Sequence, residues 1–462
     1  MKPSSLLGIT LELIELVAEP GGLPADARVG RFFRRKRFLG SRDRRFLGNA
    51  VYAWLRHGLQ AQARLESLTG DARFSALQVL GDLGNRYSFL PDILWLSRDG
   101  LFPWSLEETL HAAIGLGLPA QVGGLADVPW SVEPCGSEEP VARFAVDLSL
   151  PLWLAERLVE ERGEAEARRL AQSLLEPATV DLRVNLRRVD RETARARLSS
   201  ELGREVTPTS WSPLGLRLPG RTNLGGTSPS KDGWIEVEDE GSQIMVLSTD
   251  CKVGLTVLDA CAGAGGKTLA FADLLFGEVP EFPRRESELV ACDVDSGRLR
   301  ELSRRGRGAH VTDLVQVVAL EREGPLPQDL PSADLVLVDA PCSGTGTLRR
   351  NPDLKLRYGA GDIKDFARNQ RMILERFAPC VKPGGELAYV TCSLLREENE
   401  EVAQAFSNAH PEFEESASEW ATAHLPPACL HGSWVTIDPV KTGTDGFFMA
   451  RWRRVERKRN SE

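Results

Sequence analysis

Three common signals are missing from this sequence, and each absence excludes a class of protein. No uncharged apolar run is long enough to cross a bilayer as a helix. The eight cysteines form no C-x-x-C pair and the six histidines show no zinc spacing, so we predict free thiols and no metal. The first apolar stretch, Leu6–Val17, is interrupted by Glu12 and Glu15, which predicts an amphipathic helix and not a signal peptide. We therefore expect a cytoplasmic protein without a membrane partner.

An excess of positive charge is also missing. The formal net charge is −9, so overall charge repels phosphates, and nucleic-acid binding must depend on local patches. The segment Arg31–Arg45 is one candidate, because its basic residues are interleaved with phenylalanines. It is either an RNA-backbone patch with stacking rings or a solvated helix face whose phenylalanines lie in the core. The sequence leaves both interpretations open.

The chain is long enough for two or three domains, since it has 462 residues, of which 42% are hydrophobic and 27% charged. Apolar residues at helical spacing predict an all-α domain over residues 1–130, with Ser41 as an N-cap and a helix at Leu77–Leu83. Gln121–Pro140, rich in Gly, Pro and acidic residues, predicts a linker.

A small α/β module is predicted at residues 145–233, similar in pattern to an RRM. After a helical stretch, strands are expected at Val180–Asn185 and Leu214–Leu218, with a helix at Asp190–Glu201 between them. The Gly-, Ser- and Thr-rich segment Arg221–Lys231 predicts a loop.

Residues 234–456 alternate between strand and helix patterns, which predicts a Rossmann-like α/β domain with a parallel sheet. The expected strands are Leu255–Asp259, Leu289–Asp293, Leu314–Val318, Leu335–Asp339, Glu386–Thr391, Trp434–Ile437 and Gly446–Trp452. The carboxyl ends of such strands are where open α/β sheets bind their ligands.

A glycine-rich turn follows the first of these strands and predicts a cofactor site. A Walker A loop needs glycine where Cys261 stands, and Gly263-Ala264-Gly265-Gly266 lacks the G-x-G-x-x-G spacing of a dinucleotide loop. An S-adenosylmethionine (SAM) loop tolerates this pattern. Asp293, at the end of the next strand, can accept both ribose hydroxyls, with Asp295 as its competitor. The candidate cofactor-binding residues are Cys261, Ala262, Gly263, Ala264, Gly265, Gly266, Lys267, Asp293 and Asp339.

Two cysteines follow two further apolar runs, in Asp339-Ala340-Pro341-Cys342-Ser343-Gly344 and in Thr391-Cys392-Ser393. Thiols at neighbouring strand ends suit methylation of a pyrimidine at C5, because a thiolate adding to C6 makes C5 nucleophilic. Asp339 could share a proton with the ring N3. Lys267 and nearby backbone amides could favour the thiolate, since a free thiol has a pKa of about 8.5. The alternative is that both cysteines are small core residues.

Together these motifs resemble the RNA cytosine-5 methyltransferases of the RsmB/NSUN type over roughly Val237 to Trp452. The matching pieces are Val237-Glu238-Asp239, Gly241-Ser242-Gln243, Cys261–Thr268, Asp293-Val294-Asp295, Asp339–Gly346, Arg349–Asp353, Pro383-Gly384-Gly385, Thr391-Cys392-Ser393, Glu397-Glu398-Asn399 and Asp445–Phe448.

The resemblance implies that Cys392 attacks C6 and that Cys342 assists proton removal and release. Arg42–Leu47, continuing through Tyr52, Trp54 and Arg56, resembles a NusB-like RNA-binding domain. That start implies the bacterial small-subunit rRNA branch, with rRNA as the partner of a monomeric enzyme. The family often carries an acid near the end of the third strand, where this chain has Val317–Leu320 followed by Glu321.

Three other functions remain open at this point. One is a tRNA cytosine-5 methyltransferase, since the sequence does not settle rRNA against tRNA as the substrate. A DNA cytosine-5 methyltransferase uses the Pro-Cys thiol as nucleophile and has no need of a thiol at Cys392. A non-catalytic RNA-binding assembly factor would keep the helical domain beside a degenerate methyltransferase fold.

Overall fold

The computed structural model describes most of the chain, in the ranges 1–19, 23–66, 88–116, 139–220, 222–277 and 287–455. The helix predicted at Leu77–Leu83 and nearly all of the linker at Gln121–Pro140 lie outside these ranges. Within them, no helix is both long and apolar enough to span a membrane.

The protein divides into two compact units. The first unit combines Met1–Glu176 with Leu348–Ala360, and the second combines Pro177–Thr347 with Gly361–Glu462. The first unit thus takes in a segment that lies, in sequence, between Cys342 and Cys392. The three-domain division drawn from the sequence stays a prediction.

The first unit is helical, as the sequence predicts, and apolar side chains of its first five helices bury together in one core. Leu7, Ile14 and Leu47 are fully buried in this core. The helices are α1 (Pro3–Ala18), α2 (Ala25–Arg35), α3 (Ser41–Glu66), α4 (Leu90–Arg98), α5 (Leu106–Ile114), α6 (Pro140–Asp147), α7 (Leu152–Arg162), α8 (Glu164–Leu175) and α14 (Leu354–Arg357).

Two details of this unit differ from the expectation. Helix α3 begins at Ser41 itself, so Ser41 is the first helical residue and not the cap before it. The phenylalanines of Arg31–Arg45 do not all fit one interpretation. Phe32 packs in the core, whereas Phe38 is 66% exposed. Its contact with RNA stays a prediction.

The second unit begins with a small antiparallel sheet in the order β2-β3-β1-β4, built from β1 (Val180–Val184), β2 (Thr207–Pro208), β3 (Gly215–Leu218) and β4 (Ile235–Val237). Asp190 caps helix α9 (Arg191–Leu202), which packs on this sheet through Leu198. The expectation of a loop throughout Arg221–Lys231 is wrong. Ser228–Lys231 forms a short helix, α10, in which the amide of Lys231 donates to the carbonyl of Thr227.

The large sheet has the predicted Rossmann-like topology. Within the described ranges its strands run in the order β11-β12-β13-β9-β8-β5-β6-β7, with β10 paired to β13. Strands β9, β8, β5, β6 and β7 are mutually parallel. The strands are β5 (Thr256–Asp259), β6 (Glu288–Asp293), β7 (Gln316–Ala319), β8 (Ala333–Asp339), β9 (Val381–Thr391), β10 (Phe413–Glu415), β11 (Leu430–His431), β12 (Trp434–Ile437) and β13 (Phe447–Arg454).

Helices cover both faces of this sheet. Alternate strand residues point to opposite faces, so Leu335 and Leu337 join one core while Val336 and Val338 join the other. Side chains of α11 (Glu240–Leu247) and α12 (Gly266–Leu275) fill the first core, and those of α15 (Ala360–Phe377) and α16 (Glu400–Ala409) fill the second. Two further helices are α13 (Ser296–Gly308) and α17 (Glu419–His424).

Strand β5 lies between β6 and β8, so the strand order reverses between β5 and β8. A crevice at such a reversal is the usual ligand site of open α/β sheets. The loops after β5, β6, β8 and β9 all leave this edge, and they carry the residues selected from the sequence.

Candidate active site

The glycine-rich loop makes a tight turn between β5 and the N-terminus of α12. Gly263 and Gly265 have positive φ, +54° and +88°, a conformation that side chains rarely adopt. A Cβ on Gly263 would come no closer than 3.9 Å to another residue, and one on Gly266 would meet nothing within 4 Å. The loop therefore offers open space beside the backbone amides of the first turn of α12, which fits close approach by a cofactor.

Asp293 and Asp295 have separate tasks in the structure. Asp293 is 7% exposed and accepts hydrogen bonds from the amides of Gly263 (2.8 Å) and Asp295 (2.7 Å), so it is tied directly to the glycine loop. Asp295 caps α13 by accepting from Gly297 (2.8 Å) and Arg298 (3.2 Å). Because Asp293 is the one bonded to the glycine loop, it stays the candidate for a ribose.

The stretch that lacks the expected acid lies next to Asp293. Ala319 pairs with Asp293 across β6 and β7, and both it and Glu321 are exposed. Strand β7 therefore carries no carboxylate beside Asp293.

One contributor to the loop was not found from the sequence. Arg305 on α13 donates to the carbonyl of Ala264 at 2.8 Å and forms an ion pair with Glu236 of β4 at 3.1 Å. The arginine thus links the small sheet to the glycine loop. Helix α13 contains five arginines, so no signal in the sequence indicates which of them reaches the loop.

Lys267 and Asp339 form an ion pair at the centre of the crevice. Lys267 Nζ donates to Asp339 Oδ2 at 2.6 Å and lies 5.4 Å from the ring centroid of Phe447. Burial acts to lower the pKa of Lys267, but the charge and hydrogen bond of Asp339 outweigh it, and the pKa is raised above its ordinary value. Lys267 is therefore a fixed cation, and the nearby Cys392 adds to the same shift.

The two cysteines meet. Cys342 follows β8 by three residues, Cys392 follows β9 directly, and the strands are parallel neighbours in which Asp339 pairs with Val390. The Sγ atoms lie 3.4 Å apart. Both side chains are partly accessible, which separates them from the buried Cys292 and Cys429. The prediction that two thiols converge at one sheet edge is confirmed.

The two thiols cannot both ionise. Two unit charges 3.4 Å apart repel by about 5 kcal/mol at an effective dielectric constant of about 20. The hydrogen bond with Cys392, followed by burial, holds the pKa of Cys342 well above its ordinary value. The contact with Cys392 therefore favours the protonated form of Cys342.

A buried carboxylate behind the cysteines gained no role from the sequence. Glu398 lies in a short 3-10 helix, Arg396–Glu398, and is fully buried. The sequence marks Glu398 only as part of the Glu397-Glu398-Asn399 motif. A charge that is buried by residues distant in sequence leaves no local pattern. No group of three or more His, Cys, Asp or Glu side chains that could hold a metal ion occurs within the described ranges.

Comparison with known proteins agrees with this site. Residues 246–453 match the family model of the 16S rRNA methyltransferase RsmB/F, and residues 150–224 match the ferredoxin-like domain of RsmF/B-like methyltransferases. The probable ribosomal RNA small subunit methyltransferase B of Bacillus subtilis is 32% identical over 69% of this chain and 69% of its own length. Ribosomal RNA small subunit methyltransferase B of Xylella fastidiosa strain Temecula1 is 33% identical over 75% and 76%.

Solved structures share the architecture. The crystal structure of PH0851 has a TM-score of 0.73 at 25% identity and covers 98% of this chain and 99% of its own. NSun6 from Pyrococcus horikoshii with SFG has a TM-score of 0.57 at 20% identity, covering 66% and 98%, which shows a common fold. With its glycine loop, its sheet edge and these relatives, the chain belongs to the RsmB/F family of SAM-dependent 16S rRNA methyltransferases.

Proposed function

We propose that this enzyme methylates C5 of a cytosine in small-subunit rRNA, with Cys392 as the nucleophile and Cys342 as its assistant. The observation that carries the proposal is the 3.4 Å separation of the two Sγ atoms beside the cofactor loop. Two sulfurs this close can reach adjacent carbons of one flat ring.

The reaction needs a nucleophile from the enzyme because C5 of cytosine is itself only a weak nucleophile. The Cys392 thiolate forms a bond to C6, and the electron pair of the C5–C6 double bond moves toward C5. SAM, which the glycine loop and Asp293 would hold, would supply an electrophilic methyl group to that carbon and leave as S-adenosylhomocysteine. A base then removes the proton on C5, the double bond re-forms, and the bond from C6 to Sγ breaks, which returns the Cys392 thiolate.

The structure supports Cys342 as the group that assists proton removal. The largest cause of its raised pKa is the hydrogen bond with Cys392, followed by burial. Once Cys392 is bonded to C6, it is a neutral thioether, so the hydrogen bond to a thiol and the repulsion between two thiolates are lost. Cys342 then ionises more easily and takes the proton from C5. The raised pKa of Cys342 beside Cys392 thus supports this order of the two thiols in the reaction.

Lys267 and Asp339 are proposed to act on the ring. The carboxyl group of Asp339 is 30% exposed, so it can reach the ring while Lys267 stays bonded to it. A proton that Asp339 takes up from solvent and shares with N3 neutralises the charge that develops during attack, and it returns to solvent when the bond from C6 to Sγ breaks. The lysine, as a fixed cation, favours the Cys392 thiolate.

Cofactor and RNA contacts complete the proposal. The backbone from Cys261 to Lys267, with Asp293, lines the SAM site, and the related NSun6 fold was crystallised with SFG, a SAM analogue. Residues 1–130 are proposed to be a NusB-like RNA-binding domain, and the small α/β module to assist it. The rRNA substrate is proposed because the relatives are ribosomal RNA small subunit methyltransferases.

The test is methyl transfer from labelled SAM to small-subunit RNA by purified variants, followed by denaturing gels and bisulfite sequencing. Cys392→Ala should abolish transfer and leave no protein–RNA adduct. Cys342→Ala should still add to the ring but release slowly, because loss of a general base costs roughly 10²–10⁴-fold. An adduct that survives denaturation should then accumulate.

Cys380→Ala provides the matched control, since Cys380 lies just before β9, at the end opposite Cys392. It should methylate RNA at the wild-type rate. The proposal is wrong if Cys392→Ala retains activity, and the two roles are reversed if Cys342→Ala alone is inactive without an adduct. A label found on a base other than cytosine would overturn the substrate.

A further inference from the structure

Glu398 lies where the two cysteine loops meet, and both loops donate hydrogen bonds to its carboxylate. From the first loop, Ser343 donates through its amide to Oε1 at 2.9 Å and through its hydroxyl to Oε2 at 2.5 Å. From the second loop, the hydroxyl of Ser393 donates to Oε2 at 2.6 Å. Each serine directly follows a cysteine, so the carboxylate holds the chain one residue from each sulfur.

A fourth donor fixes the carboxylate against a helix. Gln370 of α15 donates to Glu398 Oε1 at 3.0 Å and to the carbonyl of Pro341 at 3.0 Å. Gln370 and Glu398 are both 0% exposed. A buried charge is costly unless its lone pairs are satisfied, and four donors satisfy this one.

The backbone of Glu398 is held as firmly as its side chain. The hydroxyl of Tyr389 donates to the Glu398 carbonyl at 2.5 Å, and the next residue, Asn399, donates to the carbonyl of Ser393 at 2.9 Å. The main chain around the carboxylate is therefore anchored both to β9, through Tyr389, and to the second cysteine loop, through the side chain of Asn399.

We propose that Glu398 is a positioning residue, whose buried carboxylate holds Cys342 and Cys392 at the separation that the reaction requires. Its consequence for catalysis rests on the proposed function, whereas its effect on the spacing of the sulfurs does not. Glu398 has no contact with the ring in this scheme, and it acts through Ser343 and Ser393.

Other ties between the loops make the proposal testable without unfolding the site. The amide of Gly346 donates to the carbonyl of Cys392 at 2.9 Å, and the amide of Leu394 donates to Thr345 Oγ1 at 2.9 Å. These contacts remain when Glu398 changes. We therefore expect Glu398→Gln, which keeps the shape but loses the charge and one acceptor, to fold with looser cysteine loops.

The spacing is measured with phenylarsine oxide, which bonds two neighbouring thiols through one arsenic atom. The two S–H protons leave with the arsenic-bound oxygen as water, so no other reactant is needed. Glu398→Gln should weaken capture roughly tenfold, and Ser393→Ala, which removes one donor, should weaken it less. The double variant Cys342→Ala/Cys392→Ala gives the background from the other cysteines.

Methyl transfer provides the second measurement. A displacement of about 1 Å in a reacting group can cost roughly 100-fold, so kcat of Glu398→Gln should fall by that order while KM for RNA and for SAM is unchanged. Glu401→Gln is the matched control, because Glu401 is an exposed carboxylate on α16. It should leave both arsenical capture and kcat at wild-type values.

The outcomes separate the two proposals. Wild-type capture and wild-type kcat in Glu398→Gln would overturn the positioning role. If the wild-type enzyme captures the arsenical but does not methylate cytosine, the proposed function fails, and the capture series still decides the role of Glu398. If Glu398→Gln does not fold, Ser393→Ala decides alone, and normal capture by that variant counts against the proposal.

Discussion

Substitution of Gly265 by alanine should show how strongly the cofactor loop requires glycine, apart from the usual preference of helices for alanine over glycine. Its φ of +88° costs an L-residue about 1–2 kcal/mol. In addition, a Cβ would come within 2.7 Å of Leu302 Cγ, and Leu302 is only 2% exposed, so it cannot swing into solvent. Overpacking of this kind costs about 1–3 kcal/mol. Gly265→Ala should therefore lower the free energy of unfolding by about 2–5 kcal/mol.

The neighbouring glycine provides an internal control. Gly266 is the first residue of α12, and a Cβ there would meet no atom within 4 Å. Alanine is favoured over glycine inside a helix by about 0.5–1 kcal/mol, so Gly266→Ala should be neutral or slightly stabilising. Two adjacent and chemically identical changes should thus differ clearly in their effect on the free energy of unfolding.

Urea denaturation of the two variants, monitored by circular dichroism, measures this difference. Calorimetric titration with SAM adds a local readout, because strain at Gly265 also displaces the amides around it. We expect weaker SAM binding for Gly265→Ala. Equal midpoints for the two variants would refute the reasoning, since they would show that neither the backbone conformation nor the Leu302 contact constrains this loop.

Three further predictions concern buried charge. Arg183 is 1% exposed and forms ion pairs with the carboxylates of Glu238 and Asp273, so Arg183→Met should lower the free energy of unfolding by about 3–5 kcal/mol in denaturant titrations. Burial raises the pKa of Asp259 to about 7, so the folded protein keeps a proton that the unfolded chain loses above a pH of about 4. Stability should fall as pH rises from about 4 to about 7, and Asp259→Asn should flatten that slope in pH-dependent thermal melts. Lys267→Met should reduce kcat for methyl transfer by roughly 100-fold or more in steady-state assays, and wild-type turnover would contradict its role.

The sheet could be predicted from the sequence because its central strands are continuous apolar runs. Leu335–Asp339 and Leu289–Asp293 are bounded by turn residues, and each matches an observed strand within two residues. Strands β2 and β11 have two residues each, too few to show any periodicity, and they were missed. The meeting of the two cysteines was predicted for the same reason as the sheet, since parallel strands end at one edge.

The sequence could not predict the contacts that charged side chains make with residues distant in the chain. Glu398 and Ser343 are separated by 55 positions, and Arg305 and Ala264 by 41. A charged residue in a polar segment is normally solvated, so neither pattern nor composition marks the one that is buried. Such residues become visible only when their partners are seen.

The sheet and the Glu398 carboxylate position different parts of the site, which explains why the site needs both. Strand pairing fixes where β8 and β9 end, but Cys342 lies three residues beyond its strand and Cys392 only one. The longer loop has more freedom, so register alone cannot hold the sulfurs in contact. Two of the four donors to Glu398 come from Ser343, on that longer loop. The strongest anchoring thus acts on the thiol that the sheet holds least, which is also the thiol proposed to stay protonated until Cys392 has reacted.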